Sequence, residues 1–494
     1  MGNGAPHRLR FSLSDLTMKI SKTIPAAALA LVCVQAGAVR LPNIIGDNMV
    51  LQQKSDARLW GWSRPGATVT ATPSWTGKAE IAKADKKGRW QLTVPTPEAS
   101  FTPQTIVIAD RESADTVSNV LIGEVWLASG QSNMEMPLRG FDTQPIRDAG
   151  RTIAYSGNYP GIRVAMMPKA IAYEPQEDAQ TSWKVSSPEN AGEFSALAYH
   201  FAKTLTDLKH VPVGIICNAY GGSSVEGWLP KEILDTYPGY NMAAEQKDSK
   251  KDDWTRIGVM YNALLKPVAG YTVRGFLWNQ GESNVGRHQE LPGHLSDMVK
   301  EWRRLWNDPQ LPFYHVELPP WNYGDPQATD AALFREAQHK ATEVIPESWI
   351  ICNSDLIDED ELNDIHASRK PELGERLAFT VAATAYGMDG VPYRSTRFKK
   401  MTTEGDKAIL EFDSQWDSFT PNEELPGFEA AGPDRVFHPA KAVQDWNTRK
   451  VTVTSEEVPE ITAVRYNFRN FAPGKVHNLM GLPLIPFRTD NWEK

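Results

Sequence analysis

Three residue types in this chain stand where they could transfer an acyl group. The segment LASGQSNMEMPL (127–138) ends an apolar run, VWLAS, in a tight turn that presents Ser132. A serine hydroxyl is almost wholly protonated at neutral pH. It becomes a nucleophile only with a base in reach and a group that orients the base. The segment DIHASRK (364–370) offers both. His366 is the expected base, with an ordinary pKa of about 6.5. Asp364 is the expected orienter, holding the imidazole tautomer and stabilising its cation. The oxyanion formed on attack needs amide hydrogens aimed at it beforehand, and losing one typically costs about 100- to 1000-fold in rate. The expected donors are the backbone N–H of Ser132, the backbone N–H of Gly222 in AYGGSS (219–224) and the side-chain amide of Gln280 in WNQGESN (278–284). This chemistry requires no metal and no organic cofactor.

Residues so far apart meet only if the fold gathers them. Strand-like runs VWLAS (125–129), VGIICN (213–218), VRGFLWN (273–279), PFYHVEL (312–318) and WIICNSD (349–355) alternate with helical patterns at 195–208, 294–306 and 332–345. In the second helix Leu295, Met298, Val299, Trp302, Leu305 and Trp306 share one face. A last helix is expected to start at Pro371, a good first-turn residue, and to stop at a Gly. Alternating strands and helices predict a parallel sheet wrapped by helices. In such sheets ligands bind beyond the carboxyl ends of the strands, and the polar motifs all sit there. Before this core, residues 39–120 hold short runs such as ARLWGW and RWQLTV, separated by turn residues, which predicts an N-terminal β domain. The α/β domain is expected over 121–390, and a C-terminal β domain with KAILEF, KVTVTS and AVRYNF over 391–494.

The blocks GQSNM, GGSSVEGW, WNQGESN and DIHASRK together resemble the sialate O-acetylesterase family of the SGNH hydrolases. LPNIIGDNMVLQQ and GLPLIPFRTDNW are similar to that family's N-terminal and C-terminal stretches, so the resemblance spans about residues 41–492. It implies a parallel-sheet, flavodoxin-like α/β core flanked by β domains. It also implies a Ser132 nucleophile, a His366 base, an Asp364 orienter and oxyanion donors from Ser132, Gly222 and Gln280. The implied reaction removes acetyl groups from sugar hydroxyls, those of O-acetylated sialic acid first, with acetylated plant polysaccharide such as xylan as the alternative. Three positions depart from the wider SGNH pattern: Gln131 replaces an Asp, Gln280 replaces an Asn, and Asn363 stands three before His366 where an Asp is usual. Asp358 and Asp360 are therefore alternative orienters.

Sugar contacts are expected from Trp228, Trp278 and Trp321, which lie close to the motifs, and carboxylate contacts from Arg139 and Arg287. Glu226 and Glu282 are expected to brace the rim. Met18–Lys22 is basic, IPAAALALVCV is apolar, and Ala36-Gly37-Ala38 is a cleavage-like site. Residues 1–38 therefore read as a leader ending in a signal peptide whose apolar run is too short to span a bilayer, and the protein as exported to the periplasm or beyond the cell. Removing the leader's net +3 takes the formal charge from -9 to -12. An acidic chain without a basic block is a poor nucleic-acid binder. Cys217 and Cys352 read as two buried thiols. Two competing readings are a non-catalytic carbohydrate-binding protein, which an intact Ser132–His366 pair opposes, and a lipase or thioesterase, which the polar motif flanks oppose.

Overall fold

The computed structural model describes residues 38–248, 250–413 and 418–492. The expected leader, apart from Ala38, lies outside the described residues. One 17-residue strand, Ala114–Gly130, organises the rest. Its first half pairs antiparallel with Ser100–Ala109 in an N-terminal sheet. Its second half lies between Val213–Ala219 and Gly275–Asn279, parallel to both. The boundary expected at 120/121 thus falls inside one continuous strand.

Across the central sheet the order is Ser348–Ile351, Phe313–Val316, Gly275–Asn279, Ala114–Gly130, Val213–Ala219, Ile162–Met166 and Trp183–Val185. All neighbours are parallel except the last pair. The five strands expected from sequence are present; Ile162–Met166 and Trp183–Val185 are additional. Both are short, and IRVAM is interrupted by Arg163, whose Nε–H is satisfied by the Pro160 carbonyl at 2.8 Å. Val213–Ala219 is buried along its whole length, as a parallel strand covered on both faces must be.

Helices Ala196–Lys209 and Lys370–Ala385 cover one face, burying Leu197, Phe201, Leu373 and Leu377 against Trp126 and Tyr314. Helices Leu291–Trp306 and Asp330–Val344 cover the other, where Leu295, Met298, Trp302 and Phe334 meet Phe313 and Trp278. The apolar stripe of Leu291–Trp306 recurs at helical spacing, and Pro292 occupies its first turn. Leu59, Val69 and Ile106 of the N-terminal strands join that same core. The C-terminal region forms two four-stranded antiparallel sheets around a core of its own that includes Leu410, Phe428, Val453 and Tyr466. It docks on helix Asp330–Val344, where Asn470 Oδ1 accepts the Ala331 N–H at 2.8 Å and Arg488 pairs with Glu336 at 2.9 Å. Cys217 and Cys352 are both buried and unbridged. Among the described residues no helix is long and apolar enough to cross a membrane.

Strand register sets where the loops emerge. Gly130 lies level with Ala219 on one side and Asn279 on the other. Three adjacent strands therefore end together, and their loops open on a common edge.

Candidate active site

Gly130 makes the turn possible. Its φ is +141°, and a Cβ there would lie 2.0 Å from the Asn279 carbonyl oxygen. Only glycine fits both the conformation and the approach. The chain then turns into the short helix Ser132–Glu135. Ser132 is half-buried at its start, so its N–H has no intrahelical acceptor, and its hydroxyl makes no hydrogen bond among the described residues. The side chains on either side are tied down. Gln131 Oε1 accepts the N–H groups of Gly281 and Ser283 at 3.2 and 3.4 Å. Asn133 Nδ2 donates to the Ile365 carbonyl at 3.0 Å and to Glu282, and its Oδ1 accepts from Lys370 Nζ at 2.7 Å. The residue after the serine thus holds the backbone of the residue before the histidine, 232 positions away.

His366 is half-buried with its ring edge against Phe141, centroids 5.1 Å apart. Its Nδ1 lies 2.6 Å from Gln144 Oε1. An amide oxygen only accepts, so the proton sits on Nδ1 and the lone pair on Nε2, the form a general base needs. Burial first, and then the Lys370 ammonium, lower the imidazole pKa to about 4. Lys370 is itself 1% exposed, and burial lowers its ammonium to about 8.

The orienting role expected of Asp364 is not the one this geometry gives it. Asp364 Oδ1 accepts the backbone N–H of His366 at 2.9 Å and so shapes the turn, while the ring pairs with Gln144. The alternatives fare no better. Asp358 caps the turn Glu359–Asn363 and pairs with Arg147, and Asp360 is exposed. This division of roles predicts unequal losses. Gln144→Leu should lower kcat about 10- to 100-fold by releasing the ring and its tautomer. Asp364→Asn keeps an acceptor for the backbone N–H and should cost under about 3-fold. Steady-state kinetics on an acetyl ester checks both, and a larger loss for Asp364→Asn would restore the aspartate as orienter.

The second strand end brings up the glycine pair. A Cβ at Gly221 would lie 3.4 Å from Ser132 Cβ, so this backbone passes directly over the serine. The Gly221 N–H donates to Glu135 Oε2 at 2.5 Å, and Glu135 is paired with Lys169 at 2.6 Å. Gly222 follows with φ +79° and donates its N–H to no backbone or side-chain acceptor among the described residues. Its carbonyl accepts from Ser283 Oγ at 2.7 Å, which joins the second loop to the third.

Gln280 departs from expectation. Its amide hydrogens go to the Ser223 carbonyl at 3.2 Å and Asn284 Oδ1 at 2.7 Å, and its Oε1 is left without a partner. An amide with both hydrogens engaged braces a loop and donates nothing to an oxyanion. Of the expected donors, the N–H groups of Gly222 and of Ser132, at the start of its helix, have no acceptor among the described residues.

Of the expected sugar contacts, Trp228 and Trp278 are 0% and 1% exposed. Their rings stand edge-to-face at 5.7 Å, and both also meet Trp302 edge-to-face. They belong to the core because helix Leu291–Trp306 covers them. Arg287 is held by Glu226 at 2.7 and 3.4 Å, and Arg139 by Glu193 at 2.7 Å. Glu226 is 1% exposed, and its carboxylate is met by that guanidinium together with the Asn284 amide and the Tyr240 hydroxyl. Trp321 is half-buried and packs on Tyr323 at 4.9 Å. Sequence reasoning missed Gln144, Asn133 and Lys370. Asn133 and Lys370 lie inside the motif blocks and were there to be read, whereas Gln144 sits in an irregular loop that carries no signal.

Known proteins are similar to this chain in sequence and fold. A family model for carbohydrate esterase, sialic acid-specific acetylesterase, matches residues 122–383. The sialate O-acetylesterase of Pongo abelii is 25% identical over 404 residues, covering 75% of this chain and 76% of that protein. The human sialate O-acetylesterase is 24% identical over 403 residues, with 75% and 76% covered. The crystal structure of a novel carbohydrate acetylesterase from Xanthomonas citri superposes with a TM-score of 0.81 at 32% identity, covering 92% of this chain and 100% of that one.

Proposed function

The chain belongs to the carbohydrate esterase family of sialic acid-specific acetylesterases, and from that premise we propose that it is a serine esterase removing acetyl groups from sugar hydroxyls. The observation that carries the mechanism is the Asn133–Ile365 hydrogen bond, which ties the serine turn to the histidine loop. Ser132 Oγ attacks the acetyl carbon while His366 Nε2 takes its proton. Nδ1–H stays on Gln144 and keeps the lone pair of Nε2 turned to the reaction. The N–H groups of Ser132 and Gly222 receive the oxyanion. As the tetrahedral centre collapses, the C–O bond to the sugar breaks and Nε2–H protonates the departing alkoxide. Water then attacks the acetyl-serine with Nε2 as base. Acetate leaves, and the proton returns to Ser132. The serine–imidazole contact closes in the substrate complex, as such contacts often do.

The relatives' names bring O-acetylated sialic acid to this chain as the first substrate. A second reading, acetyl groups on neutral plant polysaccharide, is favoured by one observation. Arg139 and Arg287, the arginines expected to meet a sialic carboxylate, are already paired with Glu193 and Glu226, and Arg369 of the DIHASRK block is paired with Glu372. Acetate release from O-acetylated sialic acid and from acetylated xylan, measured side by side, separates them. The expected result is acetate from at least one, with activity on simple esters falling as the acyl chain lengthens from acetate to octanoate. A preference for octanoate would overturn the carbohydrate reading.

A further inference from the structure

Two tryptophans among the described residues are largely exposed, Trp254 at 44% and Trp446 at 49%. Trp446 lies in the C-terminal β region. Trp254 lies against the active-site rim. A Cβ at Gly222 would sit 2.8 Å from Trp254 Cδ1 and 2.9 Å from Cγ, so the indole rests on the backbone of the second loop. Ser132, Gly221, Gly222 and Trp254 therefore form one chain of contacts. Tyr220, half-buried, precedes the glycine pair, and Lys169 lies over its ring at 5.9 Å.

The indole is held in place from beneath. Arg256, 6% exposed, donates to the carbonyl oxygens of Glu245, Asp248 and Lys251 at 2.8, 2.9 and 2.6 Å and pairs with Asp253 at 3.3 Å. Four contacts from one buried guanidinium clamp the segment that leads into Trp254. A single 3-10 turn, Asp253–Thr255, then presents the ring. A large apolar ring left in water, on a braced support, beside a reaction centre, is arranged to receive a ligand face with little ordering cost on binding.

We propose that Trp254 is the platform on which the sugar ring of the substrate stacks, the role that sequence alone suggests for the buried Trp228 and Trp278. This rests on the carbohydrate reading of the site and deepens it. The apolar C–H face of a pyranose lies on the electron-rich face of the indole, and an acetyl group on that ring reaches Ser132 across the Gly221–Gly222 backbone. Binding by a ring face requires no cation, which accords with the arginines being engaged elsewhere.

The test compares Trp254→Ala and Trp254→Phe with the unaltered protein on acetylated xylo-oligosaccharide, O-acetylated sialic acid and ethyl acetate. Trp254→Ala should raise KM on the sugar substrate at least about 10-fold with little change in kcat. The ratio of kcat/KM on sugar to that on ethyl acetate should fall by the same factor, and Trp254→Phe should restore most of it. An unchanged sugar KM would overturn the platform, as would an equal loss on ethyl acetate, which would mark Trp254 as a mere support for Gly222. If the unaltered protein cleaves ethyl acetate but neither sugar ester, the carbohydrate reading fails and the platform with it.

Discussion

Ser132→Ala lowers kcat/KM on an acetyl ester by at least about 10⁴-fold. In an esterase the nucleophile carries the covalent step, and deleting it leaves only the rate supplied by binding and the oxyanion donors. The structure makes this a clean substitution. Ser132 Oγ holds no partner among the described residues, so its loss opens no buried polar group, and the anchors of the turn, Gln131 and Asn133, are untouched. The melting temperature should therefore stay within about 2 °C of the parent. Kinetics with a thermal melt on the same sample checks both halves. A variant that keeps its fold and its activity would remove Ser132 from the mechanism.

His366→Ala should cost about as much, and the double variant should be no slower than either single one, because nucleophile and base act as a unit. The histidine also has a signature of its own. A base works in its neutral form, so activity is lost as pH falls through its pKa. Burial, aided by the Lys370 ammonium, lowers that pKa to about 4, so the acid limb of kcat/KM should lie near pH 4 rather than at the ordinary histidine value. At that pH Lys370, with a pKa of about 8, is fully charged. Lys370→Met removes the charge that opposes imidazolium, so the acid limb should move to higher pH. The substitution also takes the donor from Asn133 Oδ1 and lowers the overall rate, but only the electrostatic role moves the limb. An acid limb near pH 6.5 in the parent, or one that Lys370→Met leaves in place, would contradict this account.

The same bonds explain how the loops stay assembled. The three loops beyond Gly130, Ala219 and Asn279 are cross-tied by Gln131 to Gly281, Ser283 to Gly222 and Glu135 to Gly221. The fourth, with His366, joins through Asn133 and Lys370. Each tie is a side chain from one motif block on the backbone or side chain of another, which is why so many polar residues cluster there with so little freedom.

The amino-acid sequence by itself determined the strand–helix alternation, five of the seven strands of the central sheet and the placement of Ser132, Gly222 and His366 at strand ends or in the loop before the last helix. These features are local. A covered strand must be apolar throughout, a covering helix must repeat its apolar residues every three or four positions, and a residue that turns the chain at positive φ against a close backbone must be glycine. Tertiary structure alone decided the partners. Gln144 reaches His366 across 222 positions, and no periodicity announces a single side chain in an irregular loop. Whether an indole is core or surface depended on which helix covers it: Trp302 and its helix close over Trp228 and Trp278, whereas Trp254 stays 44% exposed. Whether an arginine is free depended on the carboxylate the fold sets beside it, and a buried Glu226, which also accepts from Asn284 and Tyr240, engages Arg287.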